Sequence, residues 1–218
     1  MRSNEPKVLQ MLGGRSLLDH VLGAVRGATP SRIYVVYGHG GDAVRRMTLG
    51  DDINWVQQEP QLGTGHAVSQ VMPSVDLAAD VLVVYGDVPL IQTQTLVRLV
   101  EAVEAGRLAL LTSVVPDPTG YGRIIRDDRG ELQGIVEEVD ASDEQKTISE
   151  INAGFIAAPA VLFSDWLTHA SNANAQREHY FTDVVQFAAT AAVPVITCAA
   201  TDRNEVQGVN SRAELAKV

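Results

Sequence analysis

The chain has 218 residues, 45% of them apolar, enough for a sizeable core. At roughly 150 residues per domain this predicts one large domain, or one domain with a small lobe. Lys+Arg 17 against Asp+Glu 27 gives a formal charge of −10, which argues against nucleic acid or an anionic membrane as a partner, because so acidic a surface repels phosphate backbones.

Other compositional features narrow the class further. One cysteine, Cys198, excludes a disulfide framework and a Cys-based zinc site. Aromatic content of 5%, with two tryptophans, argues against a stacking surface for single strands. No apolar run approaches the ~20 residues of a membrane helix. Met1-Arg2-Ser3-Asn4-Glu5-Pro6 has no apolar stretch of a signal peptide, so a soluble cytoplasmic protein is expected.

The predicted elements alternate. Ser16 is a candidate N-cap for a helix over Leu17–Val25, whose Leu17, Leu18, Val21, Leu22 and Val25 form one stripe. Ile33–Tyr37 reads as a buried strand, and Gly38-His39-Gly40-Gly41 after it as a tight turn. Ile53–Gln57 is a short strand, followed by a helix from about Gly65. Val81–Tyr85 is a further buried strand. Thr95–Glu104 is a helix with Gly106 as its stop. Leu108–Val115 and Val193–Thr197 are strands apolar on both faces, as expected where helices cover both sides of a parallel sheet. Ala160–His169 and Phe181–Thr190 are helices. The alternation predicts an α/β, Rossmann-like domain with a mixed but mostly parallel sheet.

Residues 120–159 read differently. Gly122–Arg126, Leu132–Val139 and Ile151–Ala158 are strands, Asp127-Asp128-Arg129-Gly130 is a hairpin turn, and Asp140–Lys146 is a loop or short helix. This predicts a small β-rich lobe built onto the main sheet. The chain opens on a polar segment, whereas an open α/β domain normally opens on a buried strand.

Ligands of open α/β sheets bind at the carbonyl ends of strands, so polar residues just after strands are the candidates. Tyr85-Gly86-Asp87-Val88-Pro89-Leu90 places a lone carboxylate there, suited to Mg²⁺ with phosphates completing the shell, or to a simple turn cap. Gln58-Glu59-Pro60-Gln61-Leu62-Gly63-Thr64-Gly65-His66-Ala67 offers amide and hydroxyl groups for a base edge, and glycines that let a flat ligand approach. In Pro118-Thr119-Gly120-Tyr121-Gly122-Arg123 a tyrosine between glycines is either a bulged turn or a backbone contact for a sugar. Lys7 is a cation able to pair with phosphate. No Walker-type, His-Glu-x-x-His or Gly-x-Ser-x-Gly motif occurs. The five histidines show no ligand spacing and none is assigned to catalysis.

In order along the chain, Pro6-Lys7-Val8-Leu9, Val36–Gly41, Gln61–Ala67, Tyr85–Leu90, Asp117–Ile124, Gly134–Glu137, Glu150–Gly154 and Val206–Asn210 resemble one family. It is the pyrophosphorylase (uridylyltransferase) domain of the bacterial bifunctional N-acetylglucosamine-1-phosphate uridyltransferase/glucosamine-1-phosphate acetyltransferases. The resemblance covers nearly the whole chain. It implies uridylyl transfer from UTP to N-acetylglucosamine 1-phosphate, giving UDP-N-acetylglucosamine and pyrophosphate for cell-wall precursors. By the same resemblance Asp87 and Asn210 would hold Mg²⁺ and Lys7 would contact the phosphates. Gln58, Gly63, Thr64 and Tyr85 would bind the nucleotide. Tyr121, Gly122, Glu137, Asn152, Glu178 and Tyr180 would hold the sugar.

There are departures. The family's opening strand, its Gly-rich loop with a catalytic Arg and its C-terminal β-helix have no counterpart in these residues. Val139 stands where Lys is usual, and Ala153 where Thr is common. A chain without the central strand is expected to be poorly stable, or to close the gap by rearrangement or by association into a homo-oligomer, with slow turnover. A non-catalytic UDP-sugar-binding domain, or a related sugar-phosphate nucleotidyltransferase, is the alternative.

Overall fold

The structure is a computed structural model describing residues 6–38, 40–103 and 106–218. The expectations for Met1–Glu5, His39 and Glu104 fall outside those residues. A 3-10 turn at Lys7–Leu9 is followed by Met11–Leu12 (β1) and Arg15–Ser16 (β2), which pair as a small hairpin. Ser16 then caps Leu17–Gly27 (α1), its Oγ accepting from the Asp19 N–H at 3.1 Å, as the sequence predicts. Next come Ile33–Tyr37 (β3), Gly41–Met47 (α2), Ile53–Gln57 (β4), Thr64–Val71 (α3), Asp80–Val83 (β5), Thr93–Ala102 (α4) and Leu108–Val114 (β6). Residues 120–159 supply Arg123–Arg126 (β7), Leu132–Val136 (β8), Asp143–Lys146 (α5) and Glu150–Pro159 (β9). The chain continues through Ala160–Trp166 (α6), Asp183–Thr190 (α7), Val195–Ala199 (β10) and Arg212–Lys217 (α8).

The main sheet has six strands in the order β10-β6-β9-β7-β8, with β5 also paired to β9. Only β10–β6 is a parallel pair in it; β9 runs antiparallel to β5, β6 and β7, and β7 to β8. The mostly parallel sheet expected from the sequence is therefore corrected to a mixed one. The reason is β9. At ten residues it is about 33 Å long, enough to pair with β5 through Ile156–Pro159 and with β7 at Ile151 on one edge, and with β6 on the other. It joins the β7–β8 hairpin to one end of the sheet, and no local pattern announces its direction.

Burial follows that arrangement. Leu108–Leu111 of β6 and Phe155–Ala158 of β9 are 0% exposed. On one face Leu110, Ile156, Phe163, Phe181 and Val185 pack together under α6 and α7. On the other, Leu96, Leu99, Leu111, Phe155 and Val206 pack under α4. β3 pairs in parallel with β4 as a separate two-stranded sheet. Among the described residues no strand joins this pair to the main sheet, so β3 and β5 each keep one edge without a strand partner. Tyr34–Tyr37 and Val81–Val83 are accordingly half-buried, where fully buried strands were expected. Helix α1 packs across both units, with Val25 touching the apolar cluster on each side. Among the described residues no helix is long and apolar enough to cross a membrane.

Candidate functional site

Lys7 is presented by a single 3-10 turn anchored by buried Leu9. Its Nζ donates to Asp87 Oδ2 at 2.5 Å and to Asn210 Oδ1 at 2.7 Å, the latter across 203 positions of sequence. Asp87 follows β5 in the turn where the sequence places it, and its carbonyl accepts from the Val209 N–H at 2.9 Å, which brings in the far segment. That segment is held from both ends. Glu205, 1% exposed, accepts from Thr95 Oγ1 at 2.8 Å and the Thr201 N–H at 3.0 Å, tying the turn to α4. Glu214 accepts from the Asn210 N–H at 2.5 Å while completing the capping box of α8 with Ser211. A carboxylate and an amide oxygen thus converge on one cation, here an ammonium. These hard oxygen donors suit Mg²⁺.

The sugar-side candidates sit on the main sheet. The Asn152 N–H donates to the Gly122 carbonyl at 2.8 Å, and Asn152 Oδ1 accepts from the Gly154 N–H at 2.9 Å. Pairing of β6 with β9 shifts register between Leu110 and Thr112, opposite Gly154. A bulge of this kind re-aims side chains. Gly154 has φ +87°, and a Cβ there would lie 2.2 Å from the Tyr85 ring, so both backbone and packing demand glycine. Burial pushes the Tyr85 phenol up, and its oxygen meets the Thr64 side chain. At Gly122 a Cβ would stand 3.2 Å from Glu137 Oε2, so backbone and carboxylate abut. Glu137 Oε1 accepts from Thr182 Oγ1 at 2.8 Å. Burial raises the Glu137 pKa, and the nearby charge of Asp140 adds to it.

Arg123, 1% exposed, fastens this end: it donates to the Tyr121 carbonyl and to Glu138 Oε2 at 2.6 Å. The Tyr121 phenol meets the Gly208 backbone, linking the sugar-side candidates to the segment that carries Asn210. Tyr180 Oη lies 3.2 Å from Asp140 Oδ2 and 3.0 Å from Gln176 Oε1; burial, with Asp140, pushes its pKa up to about 12. Val139 is 55% exposed and Ala153 is 5% exposed at the bulge. An open hollow of about 410 Å³ adjoins, lined by Glu137, Asp140, Asn174, Tyr180, Asp183 and Phe187 among others.

On the side a Cβ would occupy, Gly63 and Gly65 of the turn after β4 meet protein. A Cβ on Gly63 would lie 2.6 Å from the His179 carbonyl and 2.8 Å from Glu178 Cβ, and one on Gly65 would lie 3.0 Å from that carbonyl. The Gly65 N–H donates to the His179 carbonyl at 2.7 Å, the His179 N–H to Leu62 at 2.8 Å, and Thr64 Oγ1 accepts from the Phe181 N–H at 3.0 Å. Gln58, buried, donates through Nε2 to the Gly63 carbonyl at 2.9 Å and to His66 Nδ1 at 3.0 Å. Contacts therefore link the nucleotide-side candidates to Glu178 and Tyr180. Sequence reading missed Arg123, Thr182, Glu205 and His66. The first three announce themselves only as polar groups that find partners across the fold; His66 shares a helical face with Gln70.

The MobA-like NTP transferase domain family matches residues 1–148. The chain is 52% identical over 219 residues to the bifunctional protein GlmU of Pseudomonas syringae pv. syringae strain B728a, and 50% identical over 218 residues to that of Stutzerimonas stutzeri strain A1501. Each comparison covers 100% of this chain and 48% of the relative, so the chain spans about half the length of the curated relatives it matches. The crystal structure of a UDP-glucose pyrophosphorylase complexed with UDP-glucose superposes with a TM-score of 0.77 at 13% identity, covering 97% of this chain and 88% of that one, which establishes the shared α/β fold. With a family match over most of its length, the chain belongs to the MobA-like NTP transferase domain family, and along its whole length it is similar to one half of the GlmU proteins.

Proposed function

We propose that residues 1–218 form a uridylyltransferase domain that converts UTP and N-acetylglucosamine 1-phosphate to UDP-N-acetylglucosamine and pyrophosphate, with residues 120–159 as its sugar-side lobe. The sugar-phosphate oxygen attacks the α-phosphorus of UTP, and pyrophosphate leaves in line with it. Such a reaction needs positioning and charge neutralisation more than acid–base groups. The observation that carries the reading is the convergence of Lys7, Asp87 and Asn210 from three distant segments. In this reading Asp87 and Asn210 hold Mg²⁺, which supplies positive charge to the triphosphate. Lys7 adds a second positive charge for the phosphates. Gln58, Gly63, Thr64 and Tyr85 hold the nucleotide. Tyr121, Gly122, Glu137 and Asn152 hold the sugar, with Glu178 and Tyr180 beside its acetamido group. Asn152 is suited to this because the Gly154 N–H occupies its oxygen and leaves the amide donors to a ligand. A cytoplasmic location, where these substrates are made, belongs to the same proposal.

The test combines calorimetry with UDP-N-acetylglucosamine and an assay of Mg²⁺-dependent pyrophosphate release. Sugar-phosphate-dependent release from UTP is the expected result. Binding without release identifies a UDP-sugar-binding domain instead. Preference for dTTP with glucose 1-phosphate overturns the substrate assignment.

A further inference from the structure

Gln58, the residue after β4, carries a side-chain amide whose direction its partners set. Its Nε2 donates to the Gly63 carbonyl at 2.9 Å and to His66 Nδ1 at 3.0 Å. A carbonyl oxygen only accepts, so the amide nitrogen is the atom turned toward the Gly63–His66 turn. His66 Nδ1 accepts only when it carries no proton, so the neutral ring is the Nε2–H tautomer. Gln70 Nε2 is the atom 3.2 Å from His66 Nε2; two donors cannot bond, so this tautomer requires the Gln70 amide to be rotated with its Oε1 toward the ring. Both amide protons of Gln58 are thus committed. Among the described residues the side-chain polar atoms sealed from solvent without a partner are Thr48 Oγ1 and Arg123 Nε. Gln58 Oε1 makes no hydrogen bond among the described residues, and it is not one of those sealed atoms.

We propose that His66 is a positioning residue for base selection: by holding the Gln58 amide nitrogen inward, it leaves a lone carbonyl oxygen to meet a nucleobase. A base with a ring N–H at that place, as in uracil, completes the hydrogen bond. Cytosine presents an acceptor nitrogen at the same ring position and sets two acceptors face to face. His66 touches no substrate; it acts through Gln58. The inference rests on the nucleotide reading of this turn given above.

Competition binding of UTP and CTP with Mg²⁺ to the 218-residue chain tests it, with folding of each variant followed by thermal melting. Wild type prefers UTP. His66→Leu removes the acceptor and narrows the UTP:CTP ratio roughly five- to tenfold. His66→Asn, whose Oδ1 stands near the position of Nδ1, keeps the ratio within about twofold, whereas His66→Gln, whose oxygen reaches toward the Nε2 position, narrows it as leucine does. Should the leucine variant fail to fold, the Asn and Gln pair carries the same contrast. An unchanged ratio in folded His66→Leu and His66→Gln, with a UTP-selective wild type, overturns this inference alone. A wild-type chain that binds neither pyrimidine nucleotide overturns the functional reading and this inference with it.

Discussion

Ile33–Tyr37 and Leu108–Val114 are both apolar runs, yet β6 is sealed along nearly its whole length and β3 is half-buried. The difference lies in neighbours. β6 has β10 and β9 on its two edges and packed helices on both faces. β3 has β4 alone. Apolar composition marks a strand, while the depth of burial is set by how many partners the fold supplies. The two units also divide the candidate site. Asn152, Gly122 and Glu137 stand on the deep sheet, whereas Gln58 and Thr64 stand at the end of the shallow pair.

The largest effect expected from this contrast is on stability. Phe155→Ala in β9 leaves a cavity in a fully buried position and costs about 3–5 kcal/mol. Val36→Ala in β3 costs about 1 kcal/mol, since less apolar area is involved. Urea unfolding compares them, and equal costs would break the contrast. Next is Lys7→Met, which removes a charge-assisted contact to phosphate and weakens Mg–UTP binding roughly 10- to 100-fold by calorimetry. Its side chain is 36% exposed, so the same change alters unfolding by less than about 1 kcal/mol. Gly154→Ala forces a side chain into a positive-φ bulge against Tyr85, with a stability loss of about 1–3 kcal/mol and a disturbed tyrosine fluorescence signal.

The smallest effect is one of pH. Burial, with the charge of Glu137 next in size, raises the Asp183 pKa to about 6 from its ordinary 3.8. A carboxyl whose folded pKa is raised favours the fold when protonated. That contribution is fully present below about pH 4 and is lost as pH rises through about 6. Asp183→Asn should therefore raise the melting temperature at pH 8 and leave it nearly unchanged at pH 4. An equal shift at both values would remove Asp183 as the titrating group.

Much of the site was legible in the residues. Asp87 after β5 and Asn210 near the far end meet at Lys7, and Gly122, Asn152 and Glu137 lie together. Asp87 and Gly122 carry local signals that a turn would explain as well, and Asn210, Asn152 and Glu137 are named through the family resemblance. What stayed hidden depended on partners. Gly38–Gly41 read as a tight turn, which the Gly41 N–H closes on the Gly38 carbonyl at 3.0 Å, while the helix α2 that starts at Gly41 was not read. Gly63 and Gly65 read as letting a flat ligand approach, while the backbone of His179 and Tyr180 that packs on their Cβ side was not legible. Arg123 and Glu205 draw no reading of their own from the sequence, yet each is 1% exposed and ties distant segments together.

Strand and helix identity, the Ser16 cap and the candidate residues after strands follow from periodicity, side-chain shape and short-range hydrogen bonding, all of which act within a few positions of chain. The direction of β9, the shallow seat of β3 and the orientation of the Gln58 amide arise from contacts between residues far apart in sequence. Those contacts form only once competing surfaces have been packed against one another, so no window of the sequence contains them.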